Sequence, residues 1–269
     1  NAGAIINSNA TAATLTGAIT SNTFSVGVNG GFAWFKAGVS YRQSRESSIS
    51  ESTRDFRADV RLIKQRYPGV PVVTYVNTSA DVKAETDICC TSANAAQIVA
   101  ALPEHTIIMT PDQYLAQNVA KAVPQKNVVW WAGSCIVHEQ YTPADLRDFR
   151  AWHPGTKIIA HPECPPDVVA EADFSGSTAG MIDFVTREKP AQVMLVTECS
   201  MASNIADALP SVEFLGPCNM CPYMKMITLE KILWSLHTGT EEVTVDPAVA
   251  DKARLAVERM IDLSRKLAQ

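Results

Sequence analysis

The chain has 269 residues, 46% hydrophobic and 19% charged, enough apolar side chain for about two packed domains, which excludes global disorder. Lys and Arg total 23 against 28 Asp and Glu, a formal charge of −5, which argues against a broad nucleic-acid surface. No apolar run reaches the ~20 residues of a membrane span, and Asn1 to Ala10 carries no basic n-region of a signal peptide.

The first 35 residues contain no Asp, Glu, Lys or Arg. Alternation at Phe24, Val26, Val28, Phe32 and Trp34 around Asn29-Gly30-Gly31 fits either irregular structure or a small β unit. Residues 43–53 are rich in Ser and Glu and read as a linker. From Arg54 to Tyr67 the apolar positions Phe56, Val60 and Ile63 predict an amphipathic helix, which Pro68-Gly69 stops. Val70 to Tyr75 is then a short apolar strand, and helix and strand alternate to about residue 237. This alternation predicts an α/β fold with parallel sheets covered by helices on both faces. Asp246 to Leu267 reads as a C-terminal amphipathic helix, with Pro247 in its first turn, packing back on the body.

Self-comparison reveals a repeat of about 86 residues. Pro68-Gly69 and the strand ending Tyr75-Val76-Asn77 recur as Pro154-Gly155 and the strand ending His161-Pro162-Glu163. Ser92 and Ser177-Thr178 each precede a helix, and Cys135 and Cys221 each close a unit. The expected organisation is an atypical segment over 1–53, α/β units over 54–137 and 138–237, and a C-terminal helix over 238–269. Ligands of parallel sheets sit beyond the carboxyl ends of the strands, where these polar residues fall.

Seven cysteines is an odd count for a disulfide framework and suits metal ligands or core thiols in a reducing, cytoplasmic setting. Cys218 and Cys221 form a CxxC followed by Pro222, similar to cluster-binding runs, and the repeat makes Cys135 and Cys221 equivalent. Thiolates suit an iron–sulfur cluster, with zinc the main competitor. Cys89 and Cys90 read as structural, Cys199 as local packing and Cys164 as ambiguous. Trp130, Trp131, Trp152 and Trp234 read as core or interface.

His161 and Glu163 share a face if the chain is extended, which pairs a proton shuttle with an acid or base. Tyr75 and Asn77 hold the matching place in the first unit and can bind a polar substrate. Ser92, Ser177 and Thr178 lie where hydroxyls and free N–H groups receive a carboxylate or phosphate, or simply cap a helix. His138 follows Cys135 by three residues and falls near the same region. There is no phosphate loop, dinucleotide fingerprint or GxSxG elbow.

The stretches Tyr75 to Thr78, Cys90 to Asn94, Gly133 to His138, His161 to Pro165, Gly176 to Thr178, and Cys221 with Met224-Lys225 and Thr228 to Glu230 together resemble the quinolinate synthase family. The resemblance runs from about residue 54 to the C-terminus. It implies three similar α/β units around a pseudo-threefold axis, with one [4Fe–4S] cluster held by one cysteine from each. It also implies condensation of iminoaspartate with dihydroxyacetone phosphate to quinolinate, releasing phosphate and water, for NAD biosynthesis. A functional link to L-aspartate oxidase follows, with no nucleic-acid or membrane partner. Carried over, Cys135 and Cys221 correspond to cluster ligands, and Tyr75, Asn77, Ser92, His138, His161, Ser177 and Thr178 to substrate binders. Glu163 corresponds to the catalytic acid/base, with His161 and Tyr75 as further catalytic groups.

The chain departs from the family at its start. Residues 1–53 contain no Cys and no His and are shorter than one repeat. The expectation is that the first family unit is missing or replaced, and that the chain alone binds a cluster poorly and is inactive or nearly so. Two other readings stand beside the synthase: a zinc-dependent hydrolase using Cys135, Cys218, Cys221 and His138, and an inactive structural remnant.

Overall fold

The structure, a computed structural model, describes residues 5–7 and 56–269; the readings made for residues 24–34 and 43–53 lie outside these. Helix α1 (Phe56–Arg66) follows the predicted amphipathic spacing. Its Val60 and Ile63 join Val72, Val82, Ile108 and Val129 in one apolar cluster. Gly69 turns the chain at φ +78°, a left-handed conformation that a Cβ disfavours, and Gly155 repeats the turn at +89°.

The first sheet contains β1 (Ile5–Asn7), β2 (Val72–Tyr75), β3 (Ile88–Cys90), β4 (Thr106–Thr110) and β5 (Asn127–Trp131). Its parallel part runs β3-β2-β4-β5, and β1 pairs antiparallel on the β5 edge. Helices α2 (Ala80–Ala84), α3 (Ala95–Ala101) and α4 (Gln113–Ala122) connect the strands. Strands buried on both faces read as continuous apolar runs such as Ile107-Ile108-Met109.

The second sheet follows a 3-10 turn (His138–Gln140) and helix α5 (Pro143–Trp152). It contains β6 (Lys157–Ala160), β7 (Phe174–Ser175), β8 (Gln192–Val196) and β9 (Glu213–Leu215), all parallel in the order β7-β6-β8-β9. Helices α6 (Pro166–Glu171), α7 (Thr178–Glu188) and α8 (Ser200–Ala206) link them. The α/β class with parallel sheets is therefore as the sequence pattern predicts.

The two sheets repeat each other in register. Val72 pairs with Ile108 and Ile158 with Met194; Ile107 pairs with Val128 and Val193 with Phe214, each 86 positions on. The ion pairs repeat as well. Arg61–Glu85 becomes Arg147–Glu171, and Lys64–Asp87 becomes Arg150–Asp173. Asp87 and Asp173 also accept the backbone N–H of Val72 and Ile158. Exposed pairs contribute little energy singly; their recurrence at one offset marks the two sheets as copies.

Beyond β9 come a 3-10 turn (Met224–Met226), α9 (Leu229–Thr238) and α10 (Pro247–Leu267). Asp246 caps α10, which lies against α2, β3 and α3 and adds Ala256 and Met260 to the first sheet's core. Helix α9 has no buried residue. Among the tryptophans read as core or interface, Trp130 is buried, but Trp152 and Trp234 are exposed. No helix among the described residues is long and apolar enough to cross a membrane.

Candidate active site

The site forms where the loop after β5 meets the carboxyl end of β6. His161 is the first residue past β6, and the chain turns at once, with the Cys164 N–H donating to the His161 carbonyl at 2.9 Å. His161 and Glu163 therefore share a side through a tight turn, where an extended chain was expected. Glu163 is buried, and its Oε2 lies 3.0 Å from Nδ1 of His138 and 3.3 Å from Nδ1 of His161. The two imidazoles stack with centroids 4.6 Å apart and planes 11° apart. On the far side of its ring, His138 Nε2 lies 3.0 Å from the Thr197 hydroxyl.

The Glu163 carboxylate and the Thr197 hydroxyl thus flank the two nitrogens of the His138 ring, and the tautomer decides whether Nε2 donates to Thr197 or accepts from it. The Glu163 backbone N–H donates to His161 Nδ1 at 3.3 Å. Burial raises the Glu163 carboxyl, but hydrogen bonds and charge from His138 and His161 outweigh it and bring the pKa down to about 2. Burial holds His138 below the ordinary histidine value, against the pull of Glu163. The result is a carboxylate fixed in a dry wall by two rings.

Tyr75, at the end of β2, shares this environment. Burial, with the nearby Glu163 charge, pushes its phenol up to about 12, opposed by a hydrogen bond from Ser92. Cys135 reaches the same place from the β5 side, and one donor atom each from Cys135, His138 and Glu163 lie within 4.8 Å of one another. Burial pushes the Cys135 thiol up to about 11, against backbone N–H groups of His138 and Val137. Asp112, whose carboxyl burial raises to about 7, holds the Cys135 loop by accepting its N–H at 3.0 Å.

Other predicted residues stand apart from this knot. Asn77 is exposed on the loop between β2 and α2. Ser177 caps α7, accepting the Gly180 N–H at 3.2 Å, and Thr178 is exposed as the first residue of that helix. Cys221 sits after β9 at the place Cys135 holds after β5, and the Glu198 carboxylate lies 3.4 Å from its N–H. Asp112, Thr197 and Glu198 were not singled out from the sequence. For the two acids a signal existed, since they lie 86 residues apart in the repeat; for Thr197 no spacing marks it.

The family model for Quinolinate synthetase A protein matches residues 48–262. The chain belongs to the quinolinate synthase family. It is 59% identical over 218 residues to the quinolinate synthase of Sinorhizobium medicae, covering 81% of this chain and 60% of the relative. It is 60% identical over 210 residues to that of Caulobacter vibrioides, covering 77% and 57%, and 53% identical over 217 residues to that of Xylella fastidiosa, covering 81% and 64%. The chain thus spans about 60% of the length of the quinolinate synthases it matches.

The cysteines separate by chemistry. Cys199 and Cys218 are joined as a disulfide, with Cα atoms 4.8 Å apart, so Cys199 is more than local packing. That bond also removes Cys218 from the zinc set of Cys135, Cys218, Cys221 and His138, whose histidine faces Glu163 and Thr197. Cys89, Cys90 and Cys164 are buried, and burial raises all three thiols. Cys135 and Cys221 are the free thiols that remain partly open. Two accessible soft donors, equivalent in the repeat, fit a thiolate-held iron–sulfur group better than a hard-cation site.

Proposed function

We propose that this chain supplies two of the three α/β units of a quinolinate synthase, making quinolinate from iminoaspartate and dihydroxyacetone phosphate for NAD biosynthesis. The observation that carries the reading is the buried Glu163 carboxylate, held by His138 and His161 and within 4.8 Å of the Cys135 sulfur. Cys135 and Cys221 would hold the [4Fe–4S] cluster, which when bound supplies Lewis-acid assistance to the substrate. L-Aspartate oxidase remains a functional link by family resemblance, and the setting is cytoplasmic.

The chain's own groups take the proton chemistry. Glu163 is a carboxylate throughout the neutral range and takes the acid/base role at the substrate. His138 and His161 orient it and stabilise its charge, and His161 passes the proton on. Tyr75 stays a phenol, so it donates to a substrate oxygen while Ser92 fixes its direction. Asn77, Ser177 and Thr178 line the outer side and receive the substrate's polar groups, with the N-terminus of the 11-residue α7 offering free N–H groups to a carboxylate or phosphate.

Units at 54–137 and 138–237, with the helix of 238–269, fit a pseudo-threefold assembly that lacks one member. Helix α9 repeats α5 at the same 86-residue offset, and Thr228 caps it as Thr142 caps α5. Leu146 of α5 is fully buried under the second sheet, while its equivalent, Ile232 of α9, is 45% exposed. His138 and Tyr141 plug into the second sheet at Thr197, while their equivalents, Met224 and Ile227, are exposed. The occupant of this face is a third α/β unit, matching the share of the relatives that the chain does not span.

The test is to combine the chain with the part of the Sinorhizobium medicae protein that it does not match, load iron and sulfide anaerobically, and count. About four irons and four sulfides per complex, with quinolinate formed from the two substrates, is the expected result, and the chain alone gives no turnover. Zinc in place of iron, or a complex that binds neither, overturns the reading.

A further inference from the structure

Two acids outside the proton chemistry repeat each other with the rest of the fold. Asp112 follows β4 and Glu198 follows β8, 86 positions apart. Each forms an isolated parallel bridge to the residue two before a cysteine or its loop: Asp112 to Gly133, and Glu198 to Asn219. Each carboxylate uses both oxygens. Asp112 Oδ1 accepts the Leu115 N–H at 2.6 Å and Oδ2 the Cys135 N–H at 3.0 Å. Glu198 Oε2 accepts the Ser200 N–H at 2.8 Å, while Oε1 accepts the Cys221 N–H at 3.4 Å and the Ser200 hydroxyl at 3.4 Å, with Lys225 Nζ 3.9 Å away.

A helix cap alone does not explain this. Thr142 and Thr228 cap their helices with one hydroxyl oxygen. The two acids differ by a methylene, yet both place a second oxygen on the cysteine that ends the unit. We propose that Asp112 and Glu198 are paired positioning residues: each ties the first turn of a helix to the backbone of its cysteine, and so fixes the direction in which Cys135 and Cys221 present sulfur to a shared iron–sulfur group. The identity of that group rests on the proposed function; the tie belongs to the chain itself. With the cysteine N–H taken up by an acid of the chain itself, it would not be free to donate to a sulfur of a bound cluster, which would favour a low reduction potential.

An amide isostere separates the two hands of the tie. Asn or Gln has one accepting oxygen, and its NH2 cannot accept, so one of the two N–H groups loses its partner. Residue-resolved amide hydrogen exchange on the full chain without metal reads this directly. In the wild type the Cys135 amide exchanges more slowly than those of Ser134 and Ile136. Asp112→Asn speeds Leu115 or Cys135 at least about tenfold and leaves Ser200 and Cys221 unchanged, and Glu198→Gln speeds Ser200 or Cys221 and leaves Leu115 and Cys135 unchanged. In the complemented complex loaded with iron and sulfide, each variant releases iron to a chelator roughly 10–100-fold faster, the range for lost outer partners of metal ligands. Its reduction potential also rises.

The wild-type measurement needs no variant to fold: exchange at Cys135 and Cys221 as fast as at their neighbours overturns the tie. So does unchanged exchange in both variants, even with normal iron uptake, and the proposed function then stands. Faster, site-matched exchange in a complex that takes up no iron supports the tie and overturns the iron–sulfur reading instead.

Discussion

His138, in the turn after the first sheet, and His161, just past β6, stack their rings 11° from parallel, and Nδ1 of each lies within 3.3 Å of one oxygen of Glu163. The contact joins the loop after the first sheet to the strand end of the second. It makes the carboxylate both an interface bond and a reactive group. Its depressed pKa has a defined sign: the stabilisation is present above the ordinary carboxylate value of 4.5 and is lost as pH falls toward about 2.

Glu163→Gln tests both roles. The amide places an NH2 or a weaker acceptor against His138, so the complemented enzyme should lose activity by about 10²-fold or more. Stability at pH 7 should fall by about 1–3 kcal/mol. The difference between wild type and variant in urea midpoint should shrink as the pH is lowered below 4.5, because the unfolded wild-type chain then takes up a proton that the folded carboxylate refuses. A difference that grows in acid contradicts the assigned pairing.

Thr197→Val removes the hydroxyl that holds the other nitrogen of His138 while preserving shape. The cost should be about 1–2 kcal/mol from one unpaired buried ring nitrogen. Nitrogen NMR should show a change in the balance of the His138 tautomers. Thermal unfolding and the imidazole shifts check the two parts separately.

Much of this site was legible because the chain repeats itself. Offsets of 86 residues pair Tyr75 with His161, Asn77 with Glu163 and Cys135 with Cys221, at or beyond strand ends in parallel ladders of equal register, although only Tyr75, His161, Glu163 and Cys135 come together. The partnership of His138 with Glu163 was not legible, since it crosses between sheets and no periodicity encodes it. The turn at His161 was missed because Pro162 fits an extended strand end as well as a turn. Cys199 and Cys218 lie 19 residues apart, and only the fold brings the loop after β8 beside the loop after β9.

Tyr75 gives a prediction about pH. With burial pushing its phenol up to about 12, it remains protonated across the usable range. Tyr75→Phe should lower the rate of the complemented enzyme by roughly 10–100-fold and leave the shape of its pH–rate profile between pH 6 and 10 as it was. A basic limb that disappears in the variant would mean that the phenol ionises in that range.

The repeat also allows one position to be tested twice. Leu146 and Ile232 hold the same place in α5 and α9, but Leu146 has a sheet beneath it and Ile232 does not. Leu146→Ala should cost about 2–5 kcal/mol in the chain alone, as a large-to-small change in a closed core does. Ile232→Ala should cost no more than about 0.5 kcal/mol, since little apolar surface is covered there. Adding the missing part of the relative should change the second value and not the first: once a third sheet covers α9, Ile232→Ala weakens association, and titration of the two pieces should show a several-fold rise in Kd. Equal, small effects of Ile232→Ala with and without the added piece would mean that α9 faces water in the assembled protein and that the third unit sits elsewhere.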